Sequence, residues 1–332
     1  MKKIIEMSNS DRKFIFNYAS IKLNLHPAII EKDFWICFIL DYLFNESKYK
    51  SSFTFKGGTS LSKSYNVISR MSEDIDIILN WEILGISKNE PFEIRSKRQQ
   101  ELYNKKINEL TIRFIENELL EDIKNGLKHV GGLKVEPVSN DQVINIYYPQ
   151  VNKAENIGIL PCIRLEIGAL AAWSPASLST ITPYINNIID NFVVSSTNVR
   201  TVSISRSFYE KITILHREAN RKENKMMPKR YARHYYDVYK IYKSPYISDI
   251  LNDKRLLKKV TEFKMKFYND NWANYDDVLI NKISLVPKPY RFKEIERDYQ
   301  SMSEMLIGDI PSINDIFDSL RELEEILNKV EK

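Results

Sequence analysis

The chain has 332 residues, 43% hydrophobic and 28% charged, with a formal net charge of +5; this is a globular balance and excludes a disordered or low-complexity chain. Its two cysteines, Cys37 and Cys162, both lie in apolar runs, which excludes a disulfide scaffold or zinc cage and reads as buried thiols. No apolar stretch reaches bilayer length, and the first residues carry no leader pattern, so a cytoplasmic protein without a membrane partner is expected.

In chain order, Ser10 and Asp11 offer a helix cap, with Phe14, Tyr18, Ile21 and Leu25 as the apolar stripe behind it. Pro27 starts a second helix running to about Leu43. A short β-prone run, Phe53-Thr54-Phe55, ends abruptly at Lys56-Gly57-Gly58-Thr59-Ser60, and a helix-compatible segment follows through Val67. Ile75, Ile77, Ile78 and Leu79 mark the next strand. Residues 91–128 read as a long charged helical region with an irregular start. Strands return at 133–137 and 142–149, then at 162–170, where Ile163, Leu165 and Ile167 alternate with Arg164, Glu166 and Gly168. A weaker β pattern covers 192–204. From Ser205 onward the pattern is helical, and the last helix is capped by Ser312 and Asp315 ahead of an Ile316, Phe317, Leu320, Leu323, Leu327 and Val330 stripe. The expected fold is α+β, with one domain over 1–205 and a helical C-terminal domain over 206–332, and no flexible linker between them.

The residues that carry chemistry cluster early. A strand ending in Gly57-Gly58 before a helix start lets backbone N–H groups approach phosphate oxygens, with the hydroxyls of Thr59 and Ser60 as further donors. In Ser72-Glu73-Asp74-Ile75-Asp76-Ile77, alternation puts Asp74 and Asp76 on one strand face and the isoleucines on the other. Adjacent carboxylates repel unless a hard cation such as Mg²⁺ or Mn²⁺ lies between them and a polyphosphate. Either piece alone is a common turn or strand end; their ordered combination is specific. Aromatic residues 231, 235, 236, 239 and 242 recur at helical spacing and read as core packing. His26 and His129 have no partners that suggest a metal site.

The combination resembles the polymerase-beta type of nucleotidyltransferase superfamily, whose signature is a hydrophobic residue, Gly, Gly or Ser, a spacer, then Asp-x-Asp/Glu. The string KGGTSLSKSYNVISRMSEDIDIIL is similar, more narrowly, to the AbiEii/AbiGii toxin family, and its spacer, residues 59–73, is slightly longer than the superfamily's. Glu31-Lys32-Asp33-Phe34-Trp35 resembles that family's N-terminal helix motif, and 163–167 its central strand. Further on, Tyr209-Glu210-Lys211-Ile212 and the run Arg230-Tyr231-Ala232-Arg233-His234-Tyr235-Tyr236-Asp237 resemble its later motifs.

The resemblance implies a polymerase-beta-type core, a small mixed sheet flanked by helices, whose active site the helical domain completes. It implies an enzyme that moves a nucleoside monophosphate from an NTP to an acceptor. The catalytic residues would be Asp74, Asp76, Lys211 and Asp237. Asp74 and Asp76 would hold Mg²⁺, with Glu166 a third carboxylate; the other reading of Glu166 is a salt bridge with Arg164. Nucleotide would be bound by Lys56, Gly57, Gly58, Thr59, Ser60, Lys211, Arg230 and Arg233. On a helix, Arg230, Arg233, His234 and Asp237 would share one face, as a phosphate site or as an ion-pair lattice. The implied partners are an NTP, a tRNA acceptor and a separately encoded antitoxin, one of whose possible actions is phosphorylation of Thr59 or Ser60. Residues 216–233 hold seven Lys/Arg against two Glu, a surplus of five that equals the whole chain's and suits phosphate contacts. Alternatives from the same residues are a nucleotide-binding toxin or sensor without transfer, or transfer to a protein or aminoglycoside-like hydroxyl.

Overall fold

The computed structural model describes residues 1–153, 159–172, 174–186, 188 and 196–329. The chain divides into two units, residues 1–64 with 71–202, and residues 65–70 with 203–332.

The first unit begins with α1 (Lys2–Ile5), α2 (Asn9–Leu23) and α3 (Pro27–Asp41). α2 is capped by Ser8, whose Oγ accepts from Asp11 N–H, rather than by Ser10 or Asp11. It buries Arg12, Ile15, Phe16 and Ala19. The expected stripe is the outward one: Phe14 is 72% exposed and Ile21 80%. Two helical stripes were available here, and the one chosen is set by packing on α3, which local spacing does not encode. α3 is buried almost throughout, mostly through apolar residues, with Glu31, Lys32 and Asp33 buried among them. Pro27 fits its first turn because a helix start has no use for that N–H, and the ring of His26 caps it by accepting from Ala28 N–H at 3.2 Å.

Seven strands form one mixed sheet among the described residues: β1 (Phe53–Lys56), β2 (Asp74–Leu79), β3 (Lys134–Pro137), β4 (Val143–Tyr147), β5 (Ile163–Gly168), β6 (Ala176–Ile181) and β7 (Thr197–Val202), in the order β3-β4-β5-β2-β1-β7-β6. β1 runs antiparallel to β2, which runs parallel to β5. The short α4 (Gly57–Lys63) follows β1 directly, and stops at Lys63, short of Val67. α5 (Lys97–Phe114) and α6 (Leu120–Leu127) precede β3, joined by a π-helical turn. β6 was absent from the expectation. Its sequence, Ala-Ser-Leu-Ser-Thr-Ile, lies at the sheet edge with Leu178 76% exposed, so no apolar alternation marks it. Of the weaker β pattern at 192–204, residues 192–195 lie outside the described residues.

The second unit is helical: α7 (Ile204–Ala219), α8 (Ala232–Tyr242), α9 (Ile247–Asn252), α10 (Lys254–Phe267), α11 (Tyr275–Leu279), α12 (Phe292–Gln300) and α13 (Ile313–Asn328). α7 packs on α8 and α10, and α8 on α12 and α13. The Ser312/Asp315 capping box forms as expected, and Ile316, Phe317, Leu320, Leu323 and Leu327 are buried; Val330 lies outside the described residues. Into this unit the chain inserts residues 65–70, where Ile307 N–H donates to the Ser69 carbonyl at 2.8 Å. No helix of the described residues is long and apolar enough to cross a membrane.

Candidate active site

Strand register builds the site. Lys56 on β1 lies opposite Asp76 on β2, Asp76 opposite Glu166 on β5, and Glu166 opposite Val143 on β4. Directly paired residues point to the same face, so Lys56, Asp76, Glu166 and Val143 form a row across four strands. A second row holds Asp74, Arg164 and Asn145. Three carboxylates thus share one face with Lys56 and Arg164, while Ile75 and Ile77 are buried on the other.

Gly57 sits where the first row meets α4. Its φ is +81°, and a Cβ built there would come 1.8 Å from Asp76 Oδ2. Only glycine suits that combination of left-handed backbone and carboxylate contact. The turn therefore brings main chain, bare of side chain, against the Asp76 carboxylate. Thr59 and Ser60 face inward instead of presenting hydroxyls outward. Thr59, 1% exposed, donates to the Asp74 carbonyl, and Ser60, fully buried, donates to the Gly57 carbonyl at 2.8 Å. These hydroxyls hold the turn against β2.

Burial pushes the Asp74 carboxyl above its ordinary value, with Glu73 and Asp76 adding repulsion. Glu166 is raised by burial, then by Asp76 and Asp74. Asp74 Oδ1 is buried without a hydrogen-bond partner. A partly desolvated cluster of hard oxygens with an orphaned acceptor is a donor set suited to Mg²⁺, which binds through one or two carboxylates plus substrate phosphates and waters. Among the described residues no group of three or more His, Cys, Asp or Glu side chains forms a metal cage. Both readings of Glu166 keep support: Arg164 lies 3.3 Å from it, yet the side chain remains 41% exposed.

The Glu31-Lys32-Asp33 run supplies scaffolding that spacing alone did not reveal. All three are buried on α3. The Lys32 ammonium donates to Glu73 at 2.9 Å and to the Leu160 carbonyl at 3.0 Å, and Leu160 N–H returns to Glu73 at 3.0 Å. Glu31 accepts from the N–H groups of Val151 and Asn152. Asp33 accepts from Lys63 at the end of α4 at 2.6 Å. One helix turn therefore fixes α4, the residue preceding Asp74, and the chain leading toward β5.

In the second unit Asp237 on α8 is fully buried and shared by two cations. Arg70 grips it with Nε and Nη2 at 2.7 and 2.8 Å, and the Lys211 ammonium on α7 lies 2.7 Å away. Burial alone would raise Asp237; Arg70 and Lys211 outweigh it and hold the carboxyl well below the usual range. Lys211 moves down as well, because burial outweighs the pull of Asp237 and Arg70 adds repulsion. The two directions agree physically: one carboxylate divided between two cations leaves the second under-compensated. Arg70 was not among the expected residues. Arg233 and His234 lie in the first turn of α8. His234 is pushed well below its ordinary value by burial and by Lys211 and Arg233, and its Nδ1 is buried without a partner. Arg230 is not on the helix, which starts at Ala232; it has φ +62°, and its N–H donates to Asp298. The shared helical face therefore comprises Arg233, His234 and Asp237 only.

No curated protein matches the chain by sequence. Among solved structures, MenT4, a nucleotidyltransferase toxin from Mycobacterium tuberculosis H37Rv, aligns over 98% of this chain and 91% of its own, at 15% identity and a TM-score of 0.54. That likeness establishes the fold: the seven-stranded mixed sheet with flanking helices is that of the MenT toxin. JHP933 from Helicobacter pylori aligns over 92% of this chain and 98% of its own, at 13% identity and a TM-score of 0.36. The family model described as nucleotidyl transferase AbiEii toxin, type IV toxin–antitoxin system, matches residues 39–329, and the chain belongs to that family of nucleotidyltransferase toxins.

Proposed function

We propose that this nucleotidyltransferase toxin transfers a nucleoside monophosphate from an NTP to a hydroxyl of RNA, with tRNA as the acceptor, and that Asp74 and Asp76 hold Mg²⁺ for the reaction. The observation that carries this reading is the contact of Gly57 with Asp76, which sets open main chain beside a carboxylate pair. Triphosphate recognition and cation binding both need that juxtaposition.

Gly57 and Gly58 would offer N–H groups to phosphate oxygens without a side chain in the way, and Lys56 brings positive charge into the same row. Thr59 and Ser60 keep the turn seated. Glu166, whose basicity burial and its neighbours raise, would accept a proton from the attacking hydroxyl. When bound, Mg²⁺ supplies Lewis-acid stabilisation of the charge that develops on the transferred phosphoryl group. For Lys211 we propose a contact with nucleotide phosphate. Its support is the shared Asp237: an incoming anion relieves a buried cation that is only partly compensated. Arg230 and Arg233 remain proposed nucleotide contacts, now as separate positions rather than one helical face. An antitoxin that phosphorylates Thr59 or Ser60 would first have to expose a residue that is 1% accessible or less.

The test is incubation of purified protein with each labelled NTP, Mg²⁺ and total tRNA. Wild type labels RNA; Asp74→Ala and Asp76→Ala, folded by thermal melt, lose at least about 100-fold in rate, the scale expected when an electrostatic group of the reaction centre is removed. In bacteria, induced wild type arrests growth in the absence of antitoxin and Asp76→Ala does not. Label appearing on protein or on an aminoglycoside, with none on RNA, would reassign the acceptor.

A further inference from the structure

Beyond the carboxylates the first row opens into a cleft of about 390 Å³, whose far end the reaction scheme above leaves unused. One end carries Lys56, Asp76 and Glu166. The other carries Asn108 and Ile112 of α5, and Gln142 at the end of the β3–β4 hairpin. The two ends differ in chemistry. The far end has no cation among its lining residues, and Asp141 stands beside the amides, so it repels phosphate. Besides Asp141, its polar side chains are the neutral carboxamides of Asn108, Asn140 and Gln142, next to the aliphatic Ile112.

The amides are firmly mounted. Gln142 Nε2 donates to Asn108 Oδ1 at 2.8 Å, and the Gln142 carbonyl accepts from Ile167 N–H at 2.9 Å, one residue beyond Glu166. With that mutual bond made, Asn108 Nδ2 and Gln142 Oε1 retain donor and acceptor capacity in the cleft. Such a donor–acceptor set, held rigidly, is the kind that reads a nucleobase edge.

Position decides which nucleoside. The row runs from the Gly57 turn on the β1 side, through Asp76, to Glu166 and then the amides. In-line displacement puts the leaving pyrophosphate and the attacking hydroxyl on opposite sides of the transferred phosphorus. With the triphosphate at the glycine turn, the attacking side is the Glu166 side. We propose that the Asn108–Gln142 end of the cleft is the subsite for the acceptor's terminal nucleoside, with the amide pair reading its base. This rests on the transfer reaction and RNA acceptor proposed above.

The experiment uses a tRNA transcript pool whose last nucleotide is randomised, the preferred labelled NTP and Mg²⁺, with the terminal bases of labelled products read by sequencing. Wild type is expected to favour one terminal base by roughly 5- to 150-fold, the span of a good bidentate base contact. Gln142→Leu and Asn108→Ala, on different elements and both checked for thermal stability, are expected to reduce that preference to about threefold or less and to raise KM for RNA, with KM for NTP within about twofold of wild type. An unchanged base preference in both folded variants overturns the proposal. So does a changed choice among the four NTPs with the acceptor preference intact, which would place the incoming nucleotide's base there. Absence of RNA labelling by wild type removes the RNA reading itself, and is distinct from a wild type that labels RNA without regard to its last base, which removes only the amide subsite.

Discussion

The surroundings of Gly57 and Asp237 leave each of them little freedom. Gly57→Ala adds a methyl where Asp76 Oδ2 already lies, at a left-handed φ. The backbone cost for a non-glycine residue there is about 1–2 kcal/mol, and the carboxylate must also move. We expect a loss of at least about 100-fold in transfer rate with a lowered but cooperative melt; full activity would show that Asp76 need not sit where it does. Asp237→Asn leaves Arg70 and Lys211 without their carboxylate, and breaking a buried pair in this way costs about 3–5 kcal/mol. The carboxyl's depressed value fixes the pH dependence. Its stabilisation is complete above the ordinary Asp value of about 4 and is lost as pH falls below it. Urea melts of wild type and Asp237→Asn should therefore differ most near neutrality and converge in strong acid. At the same scale, the alternation of Asp74 and Asp76 with isoleucines was legible because a strand has period two. The inward turn of Thr59 and Ser60 was not, because a hydroxyl that donates to a carbonyl fifteen residues away has the same local sequence as one facing solvent.

Among elements, α3 carries a conspicuous motif whose structural role its local sequence does not reveal. Glu31, Lys32 and Asp33 have the look of surface charge, yet each is spent on a different part of the sheet domain. Lys32→Met takes the ammonium away from the buried Glu73 carboxylate beside Asp74, at about 3–5 kcal/mol. Lys32→Met combined with Glu73→Leu removes both charges and should recover much of that stability, since a buried pair is often replaceable by apolar groups of similar volume. Thermal melts of the two single mutants and the double form the test, and a double mutant as unstable as the sum of the singles would mean the two residues do not act on each other. β1 and β5 were readable from short alternating runs ended by glycine, and β2 from the alternation of Asp74 and Asp76 with Ile75 and Ile77. β6 was not, because an exposed edge strand needs no apolar face. The face of α2 was not, because its partner helix made the choice.

For the whole molecule, the surplus of positive charge in 216–233 is less available than its sequence suggests. Arg217 pairs with Asp270 at 2.6 Å, and Arg221 is held by both Glu218 oxygens. Arg291 donates to the carbonyls of Lys222, Glu223 and Lys225, which shapes the loop and leaves the side chains of Lys222, Lys225 and Lys229 exposed. Charge reversal at Lys222 and Lys225 is therefore the cleaner probe of RNA binding. For every phosphate that such a variant no longer neutralises, the slope of log affinity against log salt should fall by roughly 0.7–0.9, measured by titration with tRNA. Arg221→Glu should instead lower the melting temperature by repelling Glu218. A slope unchanged in Lys222→Glu/Lys225→Glu would take this loop out of the RNA interface.

Residues 65–70 give the slightly long spacer between Gly58 and Asp74 a structural meaning. The chain leaves the sheet unit after Ser64, contributes Arg70 to the helical unit, and re-enters at Met71. A boundary in space is thus not a boundary in the gene. Cutting the coding sequence before Ser203 yields an N-terminal piece carrying an arginine without its aspartate, and a C-terminal piece carrying an aspartate without its arginine. During synthesis, Arg70 emerges more than a hundred residues before Asp237, so the stretch that carries Asp74 and Asp76 is tethered to a partner not yet made. A ribosome that stops early, or a protease that trims the helical end, releases a chain whose glycine turn and carboxylates are encoded in full but whose spacer has nowhere to dock. The Arg70–Asp237 pair can therefore form only once the chain has been made as far as Asp237.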